Sequence, residues 1–272
     1  MIIETEEELI GMKKVSEAVA VTLKEMKDYV KPGMSTKELD DFGAKIMHKF
    51  GCKSAPFETY QFPGYTCLSV NEEICHGIPR ADKILKDGDV INIDVSGELG
   101  GVGADNGGSI VVGEDVNGYQ KIVDASISAL QKAIAAVKSG VKIADIGGII
   151  EKEAKKHHYH VIENLTGHGV GRSLHEEPLD LMNFRDPDDK RRFRKNSVIA
   201  LETFINAVYE YYGFDLGGYS RASLKRRVNR IKNLDGFSSF YDFLLMEFFC
   251  FFFYILLFFF FFFFQAEDGI RD

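Results

Sequence analysis

The strongest constraint on this chain is that it repeats itself. Val30-Lys31-Pro32-Gly33-Met34 returns as Val137-Lys138-Ser139-Gly140-Val141, an offset of 107, and at that offset Leu39 and Phe42 are answered by Ile146 and Ile149. Asp89-Val90-Ile91-Asn92-Ile93-Asp94 then aligns with Ser197-Val198-Ile199-Ala200-Leu201-Glu202 at an offset of 108. Two matches at nearly one offset imply two similar halves, each a helix pair plus a hairpin. Such halves place Asp94 and Glu202 at equivalent strand positions, facing each other across a pseudo-two-fold axis. Carboxylates that meet in this way need a cation between them, or one must stay protonated.

Local patterns agree with an α+β arrangement. Apolar residues at helical spacing (Leu9, Met12, Val15, Val19, Leu23, Met26, Val30) predict a helix over residues 6–30, stopped by Lys31-Pro32-Gly33. Ser35 and Glu38 form a capping-box pattern for a second helix reaching Phe50. An irregular stretch is expected over 55–65. Strands are expected at 67–70, at 90–95 and, after a Gly-rich turn at 97–101, at 104–112. Helices over 119–137 and 143–156 open the second half. The acidic N-terminus lacks the basic and apolar regions of a secretory signal. A net charge of -8 argues against a general nucleic-acid binder, and four scattered cysteines without a C-x-x-C pair point to a reducing cytosol.

Divalent-metal sites draw on Asp, Glu and His held on rigid elements. Asp94 and Glu202 each sit in an apolar strand, where an unneutralised carboxylate is costly. Asp105 follows eleven residues after Asp94 on the hairpin partner, although Asp-Asn-Gly-Gly by itself is turn chemistry. In Gly167-His168-Gly169-Val170-Gly171 the flanking glycines would let backbone pass close to an ion. A phosphate cradle or a plain polar loop are the competing readings of that segment. His76 lies in a tight turn, Cys75-His76-Gly77-Ile78-Pro79. His157, His158 and His160 follow a lysine-rich helix end and read as a solvated, dipole-favoured C-terminus rather than a ligand set.

Taken together, Asn71-Glu72-Glu73-Ile74-Cys75-His76-Gly77-Ile78-Pro79, Asn92-Ile93-Asp94-Val95, Asp105, Gly167-His168-Gly169-Val170-Gly171, His175-Glu176-Glu177-Pro178 and Leu201-Glu202-Thr203 resemble type I methionine aminopeptidases in order and spacing. The resemblance runs from near the N-terminus to Asn206. It implies the pita-bread fold, a pseudo-symmetric α+β arrangement, and hydrolytic removal of initiator methionine from nascent chains. It also implies a centre of two divalent ions (Co, Mn, Fe or Zn). Asp105 would bridge them, Asp94 would serve one, and His168 with Glu202 the other. Glu202 would also relay a proton, His175 would bond the scissile carbonyl or its oxyanion, and His76 would contact the scissile amide. The methionine pocket would draw on Tyr60, Phe62, Cys67 and Leu174. A cytoplasmic monomer acting near the ribosome is the expected setting, with no nucleic acid bound. An X-Pro peptidase of the same fold, or an inactive pita-bread binding module, are the alternatives.

The likeness then fails. The family's fifth ligand, a glutamate followed by His-Thr on the strand pairing with that of Glu202, has no counterpart, and Glu210 in Tyr209-Glu210-Tyr211-Tyr212 is only its nearest stand-in. The chain therefore divides into an incomplete catalytic domain, 1–206, and an unrelated tail, 207–272. Of the 23 phenylalanines, 15 lie between Phe237 and the end, which marks the tail as compositionally foreign. Its last octapeptide resembles a translated sequencing-adapter oligonucleotide, so a frameshift or assembly artefact is expected. A membrane anchor formed by the apolar run 248–264 is the competing reading. Made as written, the chain is expected to bind metal weakly and show little activity.

Overall fold

The computed structural model describes residues 1–206. The first helix, α1 (Glu6–Tyr29), is opened by a reciprocal capping box between Thr5 and Glu8. Its apolar stripe, Met12, Val15, Val19, Leu23 and Met26, is buried. Helix α2 (Thr36–Lys49) starts with the Ser35–Glu38 box expected from the sequence. The two helices approach closely: a Cβ on Gly43 would stand 2.5 Å from the Met26 sulfur.

The segment expected to be irregular contains structure. After β1 (Lys53–Ser54), Ser54 caps a short helix, α3 (Ala55–Tyr60), with Pro56 in its first turn. Ser54 as N-cap and Pro56 after it were legible signals, outweighed by the aromatic and Gly-rich composition that follows. Buried Asp40 of α2 accepts hydrogen bonds from the Tyr65 and Thr66 backbone N–H groups, at 3.0 and 2.8 Å, and from the Thr66 hydroxyl. That clamp sets the entry to β2 (Cys67–Val70).

Strands β3 (Val90–Leu99) and β4 (Val102–Val111) pair in unbroken antiparallel register, with β1 and β2 on the other edge of β3. The turn is confined to Gly100 and Gly101, whose φ values of 64° and 81° suit a two-residue hairpin. Ile91, Ile93 and Val95 are fully buried in the core shared with α1, which lies against both strands. Truncating such a side chain to alanine costs about 2–5 kcal/mol.

Among the described residues, the second half repeats the plan with shorter strands. Helices α4 (Gln120–Ala136) and α5 (Ile143–Lys156) pack on each other through Ala129, Ala133, Ile143, Ile146 and Ile150. Then come β5 (His160–Val161), β6 (Thr166–Gly169), β7 (Glu176–Met182), β8 (Ile199–Ala200) and β9 (Ile205–Asn206). Strand β6 lies between β7 and β8, while β5 pairs with β9. Met1 ties the β6–β7 connection down: its ammonium meets Glu176 Oε2 at 2.5 Å and the Val170 carbonyl at 3.2 Å. His157 caps the C-terminus of α5 with a part-exposed side chain, as expected. Its Nε2 also lies 3.1 Å from Glu153, a buried carboxylate that Ser128, Lys132 and Lys156 reach as well.

No helix among the described residues is long and apolar enough to cross a membrane. The apolar run 248–264, Glu210 and the expected tail lie outside the described residues.

Candidate metal centre

Alternation along β3 decides which way each residue faces. Asp94 and Ser96 share one face, opposite the one that buries Ile91, Ile93 and Val95 under α1. The register sets Asp105 directly across from Ser96 and Gly107 across from Asp94. Ser96 donates to Asp105 Oδ1 at 3.0 Å and stands 3.4 Å from Asp94 Oδ1, so one hydroxyl ties the two carboxylates together. Asp105 is thus a mid-strand residue; the turn reading of Asp-Asn-Gly-Gly fails because pairing with β3 continues through Val111.

The second half delivers His168 and Glu202. His168 is buried in the middle of β6. A Cβ on Gly167 would come within 2.5 Å of the Ala200 carbonyl oxygen, and one on Gly169 within 2.6 Å of that of Glu177. These glycines let β8 and β7 close on β6 from either side, a packing role the sequence did not reveal. The His168 Nδ1 faces the Gly169 carbonyl at 2.8 Å. Donation there leaves Nε2 for the centre, where it lies 3.5 Å from Asp105 Oδ2 and 3.2 Å from Glu202 Oε1.

Glu202 lies just beyond β8 rather than inside a long strand, and its side chain is 33% exposed. Side chains hold its neighbours in place instead. The Thr203 and Ser126 hydroxyls meet at 2.8 Å. Fully buried Asn183 accepts from the Phe204 N–H at 3.2 Å and donates to the Leu165 carbonyl at 3.3 Å, joining the two segments that carry Glu202 and His168.

The four residues expected to converge therefore do so. Donor atoms of Asp105, His168 and Glu202 lie within 4.8 Å of one another, and Asp94 joins them through Asp105 and Ser96. Burial, then the charge of Asp105, drives the Asp94 carboxyl well above the usual range. Burial also raises Glu202. Burial pulls on Asp105 in the same direction, but its bonds to His168 and Asp94 bring it below the ordinary value. Burial would lower His168, yet Asp105 and Glu202 outweigh it and hold the imidazole up to about 10. The raised values of Asp94, Glu202 and His168 favour protons within the cluster, which offset part of the negative charge of the three converging carboxylates. An oxygen-rich set with one imidazole fits Mn, Fe, Co or Zn, which would replace those protons.

Around the four stand the other expected residues. His76 has a left-handed backbone, φ 54°, and lies within electrostatic reach of Asp105 and His168. The His175 ring is 4.2 Å from that of His168, and burial together with His168 pushes it down to about 4. Tyr60 Oη meets His175 Nδ1 at 2.6 Å. Cys67 is the register partner of Asp94, and burial raises its thiol. Phe62 and Leu174 are buried close in sequence to Tyr60 and His175.

Sequence reasoning missed Ser96, Asn183 and Cys75. Cys75 is pushed up to about 12 by burial, with the charges of Glu202 and Asp94 adding to the effect. Its place beside His76 was the one available signal. For Ser96 the signal was the i, i+2 spacing from Asp94; for Asn183 there was none.

Comparison with known proteins bears on this geometry. Residues 10–226 match metallopeptidase family M24, a match that continues past Asn206. The chain is 46% identical over 210 residues to methionine aminopeptidase 2 of Bacillus subtilis, covering 77% of this chain and 84% of that protein. The crystal structure of a methionine aminopeptidase from Thermotoga maritima superposes with a TM-score of 0.71 at 34% identity, over 75% of this chain and 82% of the other. A prolidase from Pyrococcus furiosus shares the fold at 23% identity, with a TM-score of 0.64 over 74% of this chain and 57% of the prolidase.

Proposed function

Because the chain belongs to metallopeptidase family M24, we propose that it is a methionine aminopeptidase that hydrolyses the first peptide bond of nascent proteins. The observation that carries this reading is the convergence of Asp94, Asp105, His168 and Glu202 from two duplicated halves. Asp105 would bridge two divalent ions, Asp94 would hold one, and His168 with Glu202 the other. Ions there supply Lewis acidity, which makes water a usable nucleophile near neutral pH. Glu202, the more exposed of the two carboxylates that flank His168, would pass a proton towards the leaving amine. His175 donates to the scissile carbonyl oxygen, and His76 contacts the scissile amide. Phe62, Cys67 and Leu174 would surround the methionine side chain, whose thioether suits a soft apolar wall.

Likeness to methionine aminopeptidases supports the setting we propose, a cytoplasmic monomer that meets new N-termini at the ribosome. Residues 1–206 carry the proposed catalytic residues; the family match runs on to residue 226, and we ascribe the phenylalanine-rich text beyond it to a frameshift joined to adapter-like sequence. Sequencing genomic DNA past the Asn206 codon tests that assignment; an intact natural gene ending in this tail refutes it.

Activity is tested with the full chain, and with a version carrying a relative's C-terminus after Asn206, each supplied with Mn, Fe, Co or Zn. Cleavage of Met-Ala and Met-Gly peptides by the repaired version, with little by the original, is the expected result. Cleavage of X-Pro peptides alone would move the chain to the prolidases. Bound metal without any cleavage would make it an inactive binding module.

A further inference from the structure

Tyr60 was expected to form part of the methionine pocket, yet its hydroxyl is engaged elsewhere. It stands 2.6 Å from His175 Nδ1, across 115 residues of sequence. The tyrosine is set on α3, whose start is fixed by the Ser54 cap and whose end turns sharply at Gln61, φ 57°. A ring on so short and well-capped a helix can hold its partner in one orientation.

The direction of this hydrogen bond matters. A neutral imidazole carries one proton on one nitrogen, and the other nitrogen accepts. The Asp105 carboxylate acts electrostatically on the His175 ring, and a ring beside carboxylates is better placed with an N–H towards them than a lone pair. Nδ1 is already met by Tyr60.

We propose that Tyr60 is a positioning residue: its O–H donates to His175 Nδ1 and so keeps the imidazole proton on Nε2, making His175 a hydrogen-bond donor towards the reaction centre. The consequence rests on the role assigned to His175 above. A histidine that must bond a carbonyl oxygen, and the oxyanion it becomes, needs an N–H at that nitrogen. Without the tyrosine hydroxyl the proton distributes between both nitrogens, and only part of the population can donate.

The test reads the tautomer directly, without turnover. In the full-length, metal-free chain labelled with 15N-histidine, long-range 1H–15N correlations at pH 7 distinguish the two tautomers. The His175 signals are identified by their loss in His175→Gln. The expected wild-type spectrum shows His175 protonated at Nε2. In Tyr60→Phe, which keeps the ring and changes only an oxygen on a 44% exposed residue, a mixture is expected with unchanged thermal melting. Proton occupancy at Nδ1 in the wild type, or identical tautomer populations in the two proteins, overturns the proposal. Where the repaired enzyme turns over, kcat on Met-Ala should fall ~10-fold in Tyr60→Phe with KM unchanged, one hydrogen bond's worth. A rise in KM at constant kcat returns Tyr60 to the pocket wall. Failure of Met-peptide cleavage by the repaired wild type would count against the proposed function and leave the tautomer readable.

Discussion

The two halves supply the same kind of residue to one centre by different physical means. Asp94 and Asp105 stand on a ten-residue by ten-residue ladder without a register break, backed by α1. His168 and Glu202 stand on or beside short strands, and the β6–β7 ladder shifts register between Gly167 and Gly169. Among the described residues the second half has the shorter ladder, and Asn183 and the Ser126–Thr203 pair add side-chain clamps to it. A ladder spreads position over many hydrogen bonds of about 1 kcal/mol each, so losing one contact is absorbed. A clamp concentrates position in one or two side chains, so each of them counts.

That contrast can be broken or sharpened by substitution. Asp105→Asn should have the largest effect, because Asp105 touches both His168 and the Asp94–Ser96 pair. Metal content after dialysis, measured by mass spectrometry, is expected to fall roughly 100-fold or more, beyond what a supporting residue gives. Asn183→Ala comes next. It leaves the Phe204 N–H and the Leu165 carbonyl without their side-chain partner, so urea denaturation should show a loss of about 1–3 kcal/mol. Its metal affinity by calorimetry is expected to drop about 10-fold.

Ser96→Ala should cost less, about 1 kcal/mol, with a smaller change in affinity, because the ladder still holds Asp94 and Asp105. If Ser96→Ala weakened metal binding more than Asn183→Ala, the contrast between ladder and clamp would be wrong.

The smallest effect concerns the second half's helix pair. Lys132 and Ser128 of α4 bond Glu153 of α5 and hold its carboxyl down at about 2, against an ordinary 4.5. A carboxyl depressed in the folded state stabilises it fully above the unfolded value, and that contribution fades as pH falls towards the folded one. The melting-temperature gap between wild type and Glu153→Gln should therefore be present at neutral pH and close between about pH 4.5 and about pH 2. A gap that is constant across that window would remove the ionised Glu153 from the account.

Much of this molecule was legible residue by residue. The Ser35–Glu38 box, the limits of β2 and α5, and the stripe of α1 follow from periodicities and caps that involve only near neighbours. That Asp94 and Glu202 come within electrostatic reach of each other was legible too, because a duplication carries symmetry, and symmetry relates distant positions that no local pattern links. Helix α3 was misread through composition. Ser96, Asn183 and Cys75 were passed over because their roles depend on which residue lies opposite, and an isolated serine or asparagine gives no sign of that.

From its residues alone, then, this chain determined its longer helices, its first hairpin and the pairing of Asp94 with Glu202, since hydrophobic period, capping chemistry and internal repetition are properties of order along the chain. Asp105 and His168 were assigned by resemblance to methionine aminopeptidases. Folding alone decided the rest: that Asp105 lies in a strand and not a turn, that glycines beside His168 serve strand packing, and that Tyr60 meets His175. Those outcomes depend on distances of a few ångströms between segments far apart in sequence, and only the packing of one against another sets such distances.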